Sequence, residues 1–219
     1  ETALLQHRQA SGELNRKVVH QKLNDMLNTI SEPPKRLRAL WALYVTDGLT
    51  ENRLYELLND ADEHVRAWSI QFLCDVSESN AFQPERNADW VLEPDVLEKL
   101  ATMAQDDPSQ VVRLYLASAV QRLPFAQRWS ILQGLVSHVE DVTDNNLPRM
   151  YWFALEPMVP EYPRESLELV MSGKLPRLQE FVARRLITGD GGNKKLNQVQ
   201  EAEAWNGLIK KIAKGEMAT

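Results

Sequence analysis

The chain has 219 residues, 43% of them hydrophobic, so it is long and apolar enough to bury a core and is not intrinsically disordered. Its formal net charge of -6 disfavours a nucleic-acid binder, because such proteins usually present a basic surface. A single cysteine, Cys74, excludes an internal disulfide and a multi-cysteine metal site, and no apolar stretch approaches the roughly 20 residues of a membrane span.

The first part of the chain predicts four helices. Residues 14–30 carry apolar side chains at helical spacing. The proline pair at 33–34 ends this helix and suits the first turn of the next one, since proline is tolerated at a helix N-terminus. Gly48 is a predicted C-terminal stop for the second helix. Thr50 and Asp62 are predicted N-caps of the third and fourth helices.

The middle of the chain interrupts this rhythm and then resumes it. Residues 77–93 are rich in polar residues and predict a loop insertion, with 90–92 folded back onto the body. Pro94 begins the next helix. Asp107 followed by Pro108 predicts an N-cap and a first-turn proline, and Pro124 separates that helix from the following one.

The last part predicts two further hairpin segments and a final helix. Asp144 is a predicted cap for a helix that prolines disturb near its end, and residues 165–172 and 176–188 form the next pair. An amphipathic stretch at 196–214 predicts a capping helix. No segment alternates with a period of two over strand length, so no β-structure is expected.

One short pattern returns at the start of the second helices: an apolar residue or proline, then arginine, then apolar and small residues. Four strong copies and one weak copy lie at 37–43, 65–70, 112–117, 148–154 and 176–178. Such spacings, with two helices per repeat, are typical of stacked helical hairpins. The sequence therefore predicts an all-α fold, an α-α superhelix (solenoid) of about five hairpins in a single domain over residues 1–219.

The arginines of the pattern form a predicted ladder: Arg38, Arg66, Arg113 and Arg149. One interpretation is a groove for anions or carboxylates, because guanidinium forks suit bidentate acceptors. The favoured interpretation is structural, with each arginine bonding acidic or carbonyl groups of the adjacent repeat. Aspartates shortly before three of the arginines fit it: Asp62, Asp107 and Asp144.

Aromatic residues follow three of these arginines at a distance of two positions: Trp68, Tyr115 and Tyr151. A row of such rings would bind a peptide or a sugar, although packing between repeats is the usual role of helical aromatics and is favoured here. The candidate binding surface comprises Arg66, Trp68, Arg113, Tyr115, Arg149 and Tyr151. The remaining indoles on apolar stripes are predicted core residues: Trp41, Trp129, Trp152 and Trp205.

No catalytic motif, metal site or cofactor site is predicted. The four histidines lack ligand spacing, and Cys74 is a predicted buried small residue. The carboxylate pairs at 60/62 and 140–141 lie at helix ends, where capping explains them. Glu156 stands in an apolar stretch and is expected to pair with a ladder arginine or to cap the break at Pro157.

The segment 62–66 resembles the opening of the second helix in HEAT repeats. The order of segments over 36–187, above all 144–157, resembles the HEAT segment of large secreted bacterial membrane-bound dehydrogenases. In that family a sorbosone-dehydrogenase-like β-propeller precedes the segment and a c-type cytochrome domain follows it. The chain has no propeller and no haem attachment motif, so neither dehydrogenase activity nor haem carries over. The resemblance implies a connector between redox domains in an exported, extracytoplasmic parent.

These observations predict a non-catalytic HEAT-type scaffold or protein-interaction module. Its expected partners are protein, namely flanking domains of the same polypeptide, and neither nucleic acid nor a membrane span is expected. The chain begins without methionine, so we expect a mature product or, as the favoured interpretation, a piece of a longer protein. The resemblance implies that this longer protein is periplasmic or secreted. The alternative is a HEAT-like nucleic-acid enzyme such as a DNA base glycosylase, which needs a basic groove with aromatics and a carboxylate; the acidic charge counts against it.

Overall fold

A computed structural model describes residues 15–75 and 91–188 of the chain. In these two ranges it shows ten α-helices, two short 3-10 helices and no β-strand, which confirms the predicted all-α class. Its contacts divide the chain into two compact units, one up to Trp90 and one from Val91. The predicted helix at 196–214 and residues 77–90 of the predicted loop lie outside the described residues.

The first unit contains two helical hairpins. They consist of α1 (Arg16–Thr29), α2 (Pro33–Val45), α3 (Glu51–Leu57) and α4 (Glu63–Leu73). The helices of each hairpin pack along each other, and the second helices, α2 and α4, also pack together. Fully buried side chains fill the space between them, including Leu27, Leu40, Leu43, Leu54 and Ile70. Burying each such side chain contributes about 1.5–3 kcal/mol.

The second unit contains three hairpins. They consist of α5 (Pro94–Asp106), α6 (Gln110–Val120), α7 (Phe125–Leu135), α8 (Leu147–Leu155), α9 (Pro163–Ser172) and α10 (Pro176–Thr188). The 3-10 helices Val139–Thr143 and Glu156–Met158 flank α8. First helices pack on first helices (α5 with α7) and second on second (α6 with α8, α8 with α10). Consecutive hairpins of a helical-repeat protein pack in this way. The described ranges contain the five hairpins that the sequence predicted.

Glycine permits the close contact between α5 and α7. A Cβ atom on Gly134 would lie 2.7 Å from the backbone nitrogen of Gln105 and 2.8 Å from the carbonyl carbon of Ala104. Real Cβ atoms essentially never approach a neighbour so closely. The missing side chain therefore lets α7 lie directly on the backbone of α5.

A side-chain amide fixes the entry to α5. The backbone N–H of Leu92 donates to Oε1 of Gln127, and Nε2 of Gln127 donates to the carbonyl of Leu92, both at 2.8 Å. The side chain of Leu92 is buried. Of the segment 90–92 that was predicted to fold back, Leu92 thus packs onto the second unit, whereas Val91 is exposed and Trp90 lies outside the described residues.

Two helix starts carry the N-caps that the sequence predicted, at Thr50 and Asp62. Thr50 Oγ1 accepts a hydrogen bond from the backbone N–H of Arg53 at 3.2 Å, and Asp62 Oδ1 accepts from the N–H groups of His64 and Val65. The N-cap of α8 is Asn146 rather than the predicted Asp144, whose Oδ1 accepts from the N–H groups of Asn146 and Leu147 in the turn that leads into the helix. These bonds satisfy donors that a helix leaves unpaired at its first turn.

The predicted N-cap at Asp107 is wrong. The backbone N–H of Asp107 bonds to the carbonyl of Met103 at 2.9 Å, so the residue ends α5 as its C-cap. Ser109 is the N-cap of α6, with Oγ accepting from the N–H of Val112 at 3.2 Å. Pro108 consequently lies between the two helices rather than in the first turn of α6.

The end of α2 has a different cause from the one predicted. Asp47, rather than Gly48, adopts the left-handed conformation, with φ of 56°. Its N–H bonds to the carbonyl of Tyr44, and the N–H of Gly48 bonds to the carbonyl of Leu43 at 2.8 Å, which is a Schellman arrangement. Gly48 instead provides space, because a Cβ there would lie 2.9 Å from Cδ2 of His20.

Candidate functional site

The structure places the six predicted surface residues in three different environments. Arg149 is exposed; Arg66, Trp68 and Tyr115 are half-buried. Arg113 and Tyr151 are only 1% and 0% exposed, so neither lies on a surface. Both are drawn inward because they bond to the same buried carboxylate.

That carboxylate belongs to Asp141, in the 3-10 helix before α8. Arg113 donates to it bidentately, from Nε to Oδ2 at 2.8 Å and from Nη2 to Oδ1 at 2.7 Å. The hydroxyl of Tyr151 donates to Oδ2 at 2.7 Å, and Nε2 of Gln110 donates to Oδ1 at 3.2 Å. Arg113 also bonds to the carbonyl of Asp107 through Nη1 at 3.0 Å. The cluster, which we call the buried arginine network, joins α6 to the following hairpin.

The charges in this network stabilise each other. Burial alone would raise the pKa of the Asp141 carboxyl, but the hydrogen bonds from Arg113, Tyr151 and Gln110 outweigh it and hold that pKa below its usual range. Burial, together with the bond to the carboxylate, raises the pKa of the Tyr151 hydroxyl strongly. The network therefore consists of a charged arginine, a charged aspartate and a neutral tyrosine. The Asp141 carboxylate accepts four hydrogen bonds, which is typical of a structural link.

A related link joins the two hairpins of the first unit. Arg36 of α2 donates from Nη1 and Nη2 to the carboxylate of Asp60, in the turn between α3 and α4, at 2.9 and 2.5 Å. Its Nε donates to the carbonyl of Leu27 at 2.8 Å. The two side chains of the pair are 16% and 13% exposed. Hydrogen bonds from Arg36 and the N–H of Asp62 hold the pKa of Asp60 below its usual range, although burial acts to raise it.

The structure thus supports the structural interpretation of the ladder while correcting its members. Arg36, Arg66 and Arg113 are each the fourth residue of their helix. Arg66 and Arg113 both bond the carbonyl of the residue six positions earlier. Arg38 is instead exposed, and its side chain has no hydrogen bond or ion pair within the described ranges.

The sequence pattern does not identify the two aspartates that complete these links, because Asp60 and Asp141 lie at helix ends, where capping is the expected role. They are separated from their arginines by 24 and 28 residues, which is one hairpin along the chain. An aspartate in the turn of the next hairpin is the signal that would have identified them.

A second unpredicted arginine ties helix ends together. Arg128 of α7 is 7% exposed and donates only to backbone carbonyls, those of Leu123, Gln121 and Ala154, each at 2.8 Å. These carbonyls lie at the C-terminal ends of α6 and α8, where the helix dipoles are negative. Burial lowers the pKa of Arg128.

In the first unit, Trp68 belongs to a packed group of rings. Its ring lies 5.0 Å from that of Trp41 in an edge-to-face arrangement and 5.4 Å from that of Phe72. Tyr44 stacks on Phe72 at 3.8 Å and donates its hydroxyl to Asp75 at 2.6 Å. Trp68 therefore contributes to packing between α2 and α4, which is the role that the sequence analysis favoured for it.

The indoles that were predicted to be core residues are only half-buried where the structure describes them. Trp41, Trp129 and Trp152 all retain partial exposure, and Trp205 lies outside the described residues. Trp129 contacts Tyr162 edge-on at 5.8 Å, and Trp152 contacts Phe181 at 5.5 Å. The described core is filled mainly by aliphatic side chains, together with Phe72 and Tyr151.

The surface with the clearest binding character lies on α8 and α10. Arg149 and Phe153 are four residues apart on α8 and both are exposed, Phe153 at 51%. On α10, Arg177 is exposed and Phe181, four residues later, is half-buried. The contact between Phe181 and Trp152 connects the two helices. We call these five residues the α8–α10 face.

The remaining candidate groups provide no further site. Glu156 is the C-cap of α8, and its carboxylate forms no hydrogen bond or ion pair with another described residue. Cys74 is buried, as predicted. Within 15–75 and 91–188, no three histidine, cysteine or acidic side chains are grouped so as to hold a metal ion, and no helix is long and apolar enough to cross a membrane.

Comparisons with known proteins do not assign the chain to a family. No protein-family model matches it, and neither a curated protein nor a solved structure is significantly similar to it. The resemblance to the HEAT segment of the dehydrogenase family therefore stays a prediction.

Proposed function

We propose that the chain is a non-catalytic scaffold of HEAT type that presents a protein-binding surface, and that it connects domains of a larger exported polypeptide. The observation that carries the proposal is the repeated link between hairpins. In each unit an arginine of one hairpin binds a carboxylate in the turn of the next. Such links fix the register of successive hairpins, as a scaffold that holds other domains in place requires.

A binding role also agrees with what the second helices leave exposed. The α8–α10 face combines arginines with large aromatic side chains, and these residue types are enriched at the energetic centres of protein interfaces. Phe153 exposes half of a large apolar side chain, whose full burial would contribute about 1 kcal/mol more. A surface of this kind is more useful for association than for solubility.

Binding to the neighbouring polypeptide tests the proposal directly. The segments that the gene encodes before and after this chain are expressed separately, mixed with it and examined by size-exclusion chromatography and isothermal titration calorimetry. We expect at least one of them to form a complex. If neither binds, the connector proposal is wrong.

A pair of variants tests whether the surface is the one named here. Phe153→Ser should weaken the complex by about ten-fold or more, as expected for a residue at the centre of an interface. Val139→Ser is the matched control, because Val139 is similarly exposed (55%) but lies in the 3-10 helix before α8. Equal effects of the two substitutions would argue against this surface.

A further inference from the structure

The α8–α10 face is a continuous strip because the two helices contact each other. Residues at i and i+4 lie on the same side of a helix, which places Arg149 beside Phe153 and Arg177 beside Phe181. Trp152 bridges the helices through its contact with Phe181, at 5.5 Å between ring centroids. The opposite side of α8 is buried through Tyr151, Ala154 and Leu155, among others. The strip is therefore the outward side of the second-helix layer in this unit.

The charge of this strip is opposite to that of the chain. The whole sequence has a net charge of -6, whereas α8 and α10 together contain four arginines and one glutamate. The side chains of Arg149 and Arg177 form no ion pair or hydrogen bond with any described residue. Within the described residues nothing occupies these two guanidinium groups, and guanidinium groups bind carboxylates bidentately.

We propose that the α8–α10 face binds an acidic segment of a separate polypeptide, with Asp or Glu side chains meeting Arg149 and Arg177 and large apolar side chains covering Phe153, Trp152 and Phe181. The proposal rests on the proposed function and specifies the chemistry of the partner. A peptide fits better than a nucleic acid, because two exposed arginines are too few to follow an extended phosphate backbone.

The test uses the full chain and a defined probe. The probe is a fluorescein-labelled peptide of about twelve residues in which Asp and Glu are interspersed with Phe, Trp and Leu; binding is measured by fluorescence anisotropy. The control probe has the same apolar residues with Lys in place of the acidic ones. We expect only the acidic peptide to bind, and to bind more weakly at about 0.5 M sodium chloride because salt screens exposed charges.

Charge reversal then locates the site. Arg149→Glu and Arg177→Glu should each weaken binding of the acidic peptide by about ten-fold or more, since each replaces attraction with repulsion. Arg38→Glu is the matched control: Arg38 is also exposed and unpaired within the described ranges, but lies on α2 of the first unit. It should leave the affinity unchanged. Circular dichroism and thermal unfolding of each variant show whether the fold is retained.

Three results would overturn the inference. The first is no binding of the acidic peptide, or binding that the two charge reversals do not reduce. The second is tighter binding of a single- or double-stranded oligonucleotide that the same reversals abolish. The third is a several-fold gain in peptide affinity on changing Glu201 and Glu203 to Lys, because an acidic stretch of the chain itself would then be the occupant.

The inference can fail while the proposed function stands. The same charge reversals are introduced into the mixing experiment with the neighbouring segments. A complex that forms but ignores Arg149→Glu and Arg177→Glu retains the scaffold and rejects this surface. A chain that binds neither the segments nor the peptide contradicts both proposals.

Discussion

Both units link successive hairpins through an arginine–aspartate pair, but the two pairs differ in burial. In the first, Arg36 and Asp60 link successive hairpins while retaining 16% and 13% exposure; in the second, Arg113 and Asp141 do so at 1% and 0%. Each arginine is the fourth residue of its second helix. Position along the repeat therefore determines which residues pair, and the surrounding side chains determine how dry the pair is.

The drier pair requires more partners. A buried ion pair loses the solvation of both charges, and it is stable only when additional hydrogen bonds satisfy the remaining polar atoms. Tyr151 and Gln110 provide these bonds in the second unit. The partly exposed pair of the first unit has water available and a backbone N–H, that of Asp62, on its carboxylate. Removing one partner should hence cost very different amounts in the two units.

The largest expected effect is the loss of a buried partner. Asp141→Ala leaves the guanidinium of Arg113 buried without its carboxylate and should lower the free energy of unfolding by about 3–5 kcal/mol. Asp60→Ala should cost only about 1–2 kcal/mol, because Arg36 can turn toward solvent. Urea unfolding measures the totals, and amide hydrogen exchange shows whether each loss is confined to the variant's own unit. Equal costs would mean that burial does not distinguish the two links.

A second pair of substitutions compares close contacts. Gly134→Ala pushes a methyl group onto the backbone of α5 and should destabilise the protein by about 1–3 kcal/mol. Gly48→Ala meets side chains, those of Leu43 and His20, which can shift. Its cost should stay below about 1 kcal/mol. Thermal unfolding monitored by circular dichroism compares them, and a costlier Gly48→Ala would contradict the expectation.

Acid provides a smaller and graded test. The pKa values of Asp60 and Asp141 are both lowered by folding, so each contributes stability that is complete above the ordinary aspartate pKa of about 4 and is lost as the pH falls through the folded value. Asp141→Asn should therefore flatten the pH dependence of the unfolding free energy below about pH 5. Asp60→Asn should also flatten it, and urea titrations at a series of pH values measure both slopes. A slope identical to that of the unmodified protein would contradict the assigned role of either carboxylate.

The smallest expected change is a stabilisation of the first unit. Asp47 holds a left-handed backbone conformation, with φ of 56°, that glycine adopts without strain. Asp47→Gly should raise the free energy of unfolding by about 0.5 kcal/mol, since the ion pair it removes, to Arg16 at 3.9 Å, is exposed. Range 91–188 contains no non-glycine residue with a positive φ. Amide hydrogen exchange in the second unit should therefore be unchanged. A decrease in stability would show that Asp47 has a role beyond the turn.

The sequence was sufficient for the helices because their signals are local. Prolines begin α2, α5 and α10, and apolar residues at helical spacing define the buried sides. The prediction at Asp107 was wrong because a serine two residues later competes for the same role. Both residue types cap helices well, and the backbone path decides between them.

The arginine–aspartate links were harder to predict from the sequence, because the paired residues are far apart along the chain. Arg36 and Arg38 lie in one helix two residues apart, but only Arg36 is followed at the fourth and seventh positions by buried leucines, Leu40 and Leu43. Arg113 is followed by buried residues in the same way, whereas Arg149 is followed by the exposed Phe153. The apolar stripe after each arginine therefore indicates which arginines turn inward. The matching aspartate depends on how the next hairpin stacks, which the repeat pattern alone does not determine.

The two hydrogen bonds between Leu92 and Gln127 have a consequence for how the chain can evolve. They bind the backbone segment directly before α5 to helix α7. Contacts within the second unit therefore determine where its first helix begins. We therefore expect the helices after these bonds to keep their register when the chain ahead of them changes in length or sequence. Insertions and deletions before Leu92 should thus leave the three hairpins of the second unit unaltered.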